Sequence, residues 1–290
     1  MIDEPEQPDN VVKFPSPAGL VSLSDLPERQ PLVPWYSGFT EWRKRMMFAP
    51  GTLVVVTGHP GHGKSSLIGN VVFNTASINN LGVIVATFEN YPIPSYRKML
   101  RQFWAGMPEA ELGDKQRRAA DAFINDHYRF LIDPQERPTI GWILEWAAKG
   151  GNFNILVIDP WNRIESQRNK DETETEYIAY CLSELRRFAV RHNCLVIVIA
   201  HPAKRDARYR ERVPVLEDIS GSKNWDNMPD QGLVINRDKF WDDAARKRLW
   251  NAKVYHLKSR FEELGYPCEF DIRLNPQTWR FETIPPASVS

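Results

Sequence analysis

Four short apolar runs mark the first two hundred residues: Leu53-Val54-Val55-Val56, Val83-Ile84-Val85-Ala86, Ile155-Leu156-Val157-Ile158 and Leu195-Val196-Ile197-Val198-Ile199. Each is apolar at both parities and mostly β-branched, which predicts strands covered on both faces, as in a parallel sheet. Helical patterns lie between them. Leu67, Ile68, Val71 and Val72 follow the first run, and Ile178, Leu182, Leu185 and Ala189 recur at helical spacing within 172–192. The acidic start of that second helix and its basic end (Arg186, Arg187, Arg191) complement the helix dipole. Strands alternating with helices predict an α/β, doubly wound fold with a mostly parallel central sheet. The pattern then changes. Val254-Tyr255-His256-Leu257 and the stretch Cys268 to Leu274 alternate apolar and polar, as half-exposed antiparallel strands do. The charged insert Lys239 to Arg248 reads as a surface hairpin or short helix, and Tyr96, Phe103 and Trp104 read as core packing.

The pattern also sets expected boundaries. Residues 1–34 are rich in proline and acidic groups with one apolar patch from Gly19 to Leu23, which predicts a flexible arm or linker. It is either a disordered tail or a strap that docks on a neighbouring subunit. The globular domain is expected over 35–283, with a disordered tail over 284–290.

Composition adds little about partners. The chain has 37 basic and 37 acidic side chains and a formal net charge of zero, so any nucleic-acid affinity must come from a local basic stripe. Cys181, Cys194 and Cys268 match neither a disulfide framework nor metal-ligand spacing, and read as buried thiols in a reducing compartment. No apolar run approaches the ~18 residues of a membrane span, and MIDEPEQPDN is too acidic for a targeting peptide. The expectation is a cytoplasmic protein with no membrane partner, in a bacterial or host cell, whether chromosomal, phage or plasmid encoded.

The chemistry is concentrated at the ends of the apolar runs. Gly58-His59-Pro60-Gly61-His62-Gly63-Lys64-Ser65 fits G-x-x-x-x-G-K-[ST] between a predicted strand and a predicted helix. In that setting glycines let backbone N–H groups converge on phosphates, Lys64 reaches the β and γ phosphates, and Ser65 binds Mg²⁺. Ser66 extends the nucleotide-binding segment, and ATP with Mg²⁺ is the expected ligand pair. Asp159 ends the third run, where a Walker B carboxylate holds the metal; a helix cap or turn is the alternative. Glu89 follows the second run and either polarises the attacking water or is a solvated loop glutamate. His201 ends the fourth, either sensing the γ-phosphate or serving structure.

Together these motifs resemble the helicase half of the Twinkle-like primase–helicases, within the DnaB-like hexameric family, over about Trp35 to Phe281. Thr87-Phe88-Glu89-Asn90 is similar to that family's catalytic-glutamate strand. Asp159 to Glu165 is similar to its extended Walker B, Glu174-Thr175-Glu176-Tyr177 to the start of its next helix, and Ala200-His201-Pro202-Ala203-Lys204 to its sensor strand. Asp218 through Asp230 resembles its fourth motif and Lys258-Ser259-Arg260-Phe261 its arginine-finger segment. The resemblance implies a RecA-like P-loop core and Glu89 as catalytic base. It makes Arg260, with Lys258, a finger reaching an adjacent subunit of a hexameric ring. It also implies an ATP-dependent 5′–3′ helicase or translocase on single-stranded DNA in replication. Two departures stand out: Asn227 occupies a position where related phage helicases carry Gln, and no primase or zinc-binding segment is expected ahead of the motor, so priming falls to a separate primase or other replisome protein.

Five basic residues within nine, Lys204, Arg205, Arg208, Arg210 and Arg212, suit a loop that follows a phosphate backbone and faces the channel in the family. Trp161 to Lys170, with Arg163, Arg168 and Lys170, is a second candidate loop. For both, a solvated charged loop is the plain alternative. For the whole chain, the competing function is a RecA-like ATPase acting as loader, recombination mediator or regulatory switch without unwinding. A nucleotide kinase would leave Lys258, Arg260 and everything after residue 218 without a role.

Overall fold

The computed structural model describes residue 22 and residues 31–89, 91–134, 137–203, 212–237, 241–242 and 247–284. Strands β1 (Thr52–Thr57), β2 (Val83–Thr87), β3 (Tyr128–Leu131), β4 (Ile155–Asp159), β5 (Leu195–Ile199) and β6 (Gln231–Asn236) form the parallel part of one sheet. The four apolar runs supply β1, β2, β4 and β5. After the short β7 (Trp241–Asp242) and β8 (Lys247–Arg248) come β9 (Asn251–Ser259), β10 (Cys268–Leu274) and β11 (Phe281–Thr283). These last three extend the sheet antiparallel, giving the order β11-β10-β9-β6-β1-β5-β4-β2-β3. Within the charged insert the described residues of β7 and β8 pair antiparallel.

Helices α1 (Lys64–Asn79), α2 (Arg97–Ala105), α3 (Asp114–His127), α4 (Ile140–Lys149), α5 (Glu174–Arg191) and the one-turn α6 (Asn224–Asn227) cover the sheet. The double-sided apolar runs are explained by two cores. Val54, Val56, Val85, Val157 and Ile197 point to the side of α1 and α2, meeting Leu67, Val71, Leu100 and Phe103. Their neighbours Leu53, Val55, Ile84, Leu156 and Val196 point the other way, against Ile143 of α4 and Ile178, Leu182 and Leu185 of α5. A strand buried on both faces has no polar parity to display, hence the unbroken runs. Tyr96 and Phe103 are buried in the first core as expected, with Trp104 packed against it. Trp42, 1% exposed, joins that core and stacks on Phe39 at a centroid separation of 4.1 Å.

Local signals set the helix starts. Thr173 caps α5 by accepting from Glu176 N–H at 3.2 Å while the Glu176 carboxylate accepts from Thr173 N–H at 2.9 Å, a reciprocal capping box. Thr139 Oγ1 accepts from Trp142 N–H at 3.1 Å and starts α4. The three cysteines are free thiols, Cys181 and Cys194 buried and Cys268 half-buried. Among the described residues no helix is long and apolar enough to cross a membrane.

Candidate nucleotide site and arginine cluster

Parallel strands bring their carboxyl ends to one edge, so the residues that end β1, β2, β4 and β5 gather there. The order β1-β5-β4-β2 places the Gly58–Ser65 loop, His201, Asp159 and Glu89 in succession along that edge. Gly58 has φ +145°, and a Cβ there would lie 2.2 Å from the Ile235 carbonyl oxygen of β6, so the loop leaves the sheet where only glycine passes. Gly63, at φ +92°, immediately precedes α1 and gives it no side-chain cap. The helix therefore starts with backbone N–H groups open to an anion.

Lys64 is 5% exposed, and its Nζ donates to the carbonyls of Gly58 at 2.7 Å and His59 at 3.1 Å. Burial lowers its pKa to about 8, against the opposing pull of Asp159 and Glu89. A desolvated ammonium curled onto the loop's own carbonyls is a cation lacking full counter-charge, which is what a triphosphate supplies. Asp159, 4% exposed, shows the complementary effect: burial raises its pKa to about 6, partly offset by a hydrogen bond from Ser65 and the charge of Lys64. Among the described residues no group of three or more His, Cys, Asp or Glu is arranged to hold a metal ion. The Ser65–Asp159 pair fits Mg²⁺, an ion that completes its shell with water and substrate phosphates.

Glu89 is exposed at the edge, and its charge reaches Lys64, Asp159 and His201. His201 is half-buried and its pKa is lowered, first by desolvation and then by Lys64, which favours a neutral ring. Its backbone N–H donates to Asn162 Oδ1 at 2.8 Å, tying the fourth strand end to the segment after Asp159. That role of Asn162 was not legible from its place in the motif.

The two loop histidines are held from outside. Arg237 N–H donates to His62 Nδ1 at 2.9 Å, and burial lowers the His62 pKa to about 4. His59 Nε2 lies 3.2 Å from the Arg212 carbonyl. Beside the loop, Gly61, Gly63, Ser66, Trp250 and Trp279 line a cavity of about 120 Å³, and Ser65, Tyr96, Met99, Gln102 and Phe103 line another of about 310 Å³.

Lys204, Arg205, Arg208 and Arg210 lie outside the described residues. Arg212 is described: its Nη2 pairs with Asp218 Oδ1 at 2.6 Å, which anchors the end of the basic segment beside the P-loop.

Arg260 and Lys258 stand at the opposite edge. Arg260 follows β9, and its N–H donates to the Asp230 carbonyl at 2.8 Å; Asp230 N–H in turn donates to the carbonyl of Leu53, near the amino end of β1. Five residues of strand, about 16 Å at ~3.3 Å each, separate Leu53 from Gly58. Lys258 Nζ donates to the carbonyls of Asp226 and Asn227, the latter at 2.9 Å, and Arg260 Nη2 donates to Asn227 O at 3.1 Å. Asn227 thus presents its backbone carbonyl to both cations.

A family model described as "AAA domain" matches residues 25–207, more than half of the chain. The Twinkle homolog protein, chloroplastic/mitochondrial, of Arabidopsis thaliana is 33% identical over 202 residues, covering 66% of this chain and 28% of the relative. The replicative DNA helicase DnaB of Mycoplasma genitalium is 21% identical over 247 residues, covering 78% of this chain and 50% of the relative. The chain therefore spans half or less of the length of these curated relatives. A solved structure of a DnaB-like replicative helicase, described with its interactions with primase, superposes with a TM-score of 0.68 at 16% identity, covering 86% of this chain and 62% of that one; this likeness is one of fold. The chain belongs to the AAA-domain family, and over this region it is similar to the Twinkle and DnaB proteins.

Proposed function

We propose that this chain is the motor of an ATP-dependent helicase that translocates on single-stranded DNA during replication. It works 5′ to 3′ as a hexameric ring with ATP sites shared between subunits. The proposed motor spans 35–283, and the arm expected over 1–34 lies almost wholly outside the described residues. The observation that carries the shared site is the position of Arg260. A guanidinium at the amino edge of the sheet lies about 16 Å of strand, at ~3.3 Å per residue, from its own P-loop, so it serves a site on another subunit.

In each site Gly58, His59, Pro60, Gly61, His62, Gly63 and Ser66 surround the nucleotide, and Lys64 turns from the Gly58 and His59 carbonyls to the phosphates. Ser65 and Asp159 would hold Mg²⁺, which would supply positive charge beside the phosphates. Glu89 accepts a proton from the attacking water, and a neighbour's Arg260 and Lys258 bring charge to the leaving phosphates. Such a finger is worth ~10³–10⁵ in rate in GTPases. His201, neutral and tethered to Asn162, sits between the site and the segment that begins at Lys204. Loss of the γ-phosphate there passes to Lys204, Arg205, Arg208 and Arg210, which grip the DNA backbone, with Arg212 as their anchor. A primase is the proposed partner that supplies primers, in keeping with the DnaB-like helicase whose solved structure is described with its interactions with primase.

Strand separation on a forked duplex with ATP and Mg²⁺ tests this reading. Unwinding by the unaltered chain and none by Lys64→Ala is expected. ATP hydrolysis stimulated by DNA without strand separation would favour the loader or mediator reading.

A further inference from the structure

Behind the finger lies a buried carboxylate with two arginines. The Asp230 side chain is 1% exposed, and its Oδ1 lies 3.4 Å from Arg260 Nη1 and 3.2 Å from Arg186 Nη2 of α5. Its Oδ2 accepts from Leu53 N–H at 3.0 Å, so the carboxylate is pinned to the first strand and cannot follow either partner. Oδ1 is paired by charge with both guanidinium groups yet hydrogen-bonded to neither. Arg260, Arg186, Arg187, Arg191, Asn227 and Met228 line an open cavity of about 670 Å³ at this edge.

We infer that Asp230 docks Arg260 between turnovers, and that Arg186 is the positioning residue that releases it by remaining as the counter-charge of Asp230. This inference rests on the proposed trans role of Arg260. A fully buried carboxylate stripped of its only cation is strongly unfavourable, so a lone Asp230–Arg260 pair would resist the finger's departure. With Arg186 in place the carboxylate stays compensated whichever way Arg260 points. Arg186 and Arg260 are 41% and 32% exposed, open enough to move, whereas Asp230 is not. Lys258 Nζ donates to the Asp226 and Asn227 carbonyls rather than to Asp230, and it is proposed to act with Arg260 at the neighbouring site, so it is not the replacement.

The test is a double-mutant cycle read in DNA-stimulated ATP hydrolysis by the full chain. Arg186→Gln should lower kcat roughly tenfold, well within the coupling range of contacting residues, and leave KM for ATP within about twofold, because each chain's own nucleotide pocket is at the other edge. Asp230→Asn keeps an acceptor for Leu53 N–H while removing the charge that retains the finger. The double variant should therefore recover to within about twofold of Asp230→Asn alone, whereas independent structural defects would add. Arg186→Lys keeps a cation at the carboxylate and should stay near the unaltered rate, which covers the case of an Asp230→Asn that does not fold. An unchanged kcat for Arg186→Gln, additive losses in the double variant, or a loss in Arg186→Lys as large as in Arg186→Gln would overturn the inference. Arg260→Gln separates the two levels. If it turns over normally, the trans-finger reading fails; if it is inactive while the cycle is additive, only the role of Asp230 and Arg186 fails.

Discussion

Asp159→Asn should make the nucleotide-free protein more stable while removing its Mg²⁺-dependent turnover. The carboxyl is 4% exposed, and burial raises its pKa from 3.8 to about 6. At about 1.36 kcal/mol per unit, a shift of about two units corresponds to ~3 kcal/mol of cost for holding the carboxylate charged in the folded state. The sign follows from proton binding. The folded pKa lies above the unfolded one, so below about pH 4 both states are protonated and the charge costs nothing. Stability is lost as pH rises from about 4 to about 6, and above that the full cost applies. An amide keeps the shape and can still accept from Ser65, but it never charges. Urea unfolding in metal- and nucleotide-free buffer should therefore show Asp159→Asn more stable by up to ~3 kcal/mol at about pH 8, with the difference shrinking as pH falls towards about 4. A variant no more stable than the unaltered chain at about pH 8 would refute the burial argument, as would a difference that does not change with pH.

Three further outcomes follow from the same geometry. Glu89→Gln should retain ATP binding while lowering kcat by about 10²–10⁴, the range for a lost general base, measured by nucleotide binding alongside steady-state hydrolysis. Gly58→Ala forces a Cβ to within 2.2 Å of the Ile235 carbonyl, so ATP binding should collapse or the melting temperature should fall sharply. Trp42→Ala empties a fully buried indole site remote from the loop and should cost about 3–5 kcal/mol in urea unfolding, with little change in KM for ATP where the fold survives.

The fold was legible where one residue pattern had one physical cause. β1, β2, β4 and β5 are apolar at both parities because α1 and α2 cover one face and α4 and α5 the other. β10 alternates because Phe270, Ile272 and Leu274 face the core, with half-buried Cys268 packed beside them, while Glu269, Asp271 and Arg273 are exposed. β3 carried no such signal: it is four residues long, lies at the sheet edge, and buries only Tyr128 fully. The placement of the Gly58–Ser65 loop between a strand and a helix was legible from a contiguous motif, and the gathering of Glu89 and Asp159 at one edge because strand ends converge. What stayed hidden was pairwise and distant. Arg186 read as a complement to the helix dipole, and nothing local links it to Asp230, which the sheet brings within 3.2 Å. Arg212 read as one of five phosphate-binding cations, yet its guanidinium is committed to Asp218. Nor could spacing show that His62 would be held by the backbone of Arg237, since that contact exists only once β6 lies beside β1.

The central claim is that each nucleotide site is completed by a second copy of the chain. Lys64→Ala and Arg260→Gln should each be nearly inactive in ATP hydrolysis on single-stranded DNA. Mixed in equal amounts and allowed to exchange subunits, they should regain activity, because about one quarter of randomly formed head-to-tail interfaces join an intact P-loop to an intact finger. A mixture no more active than either variant alone, together with an Arg260→Gln protein that hydrolyses ATP normally, would contradict a shared site.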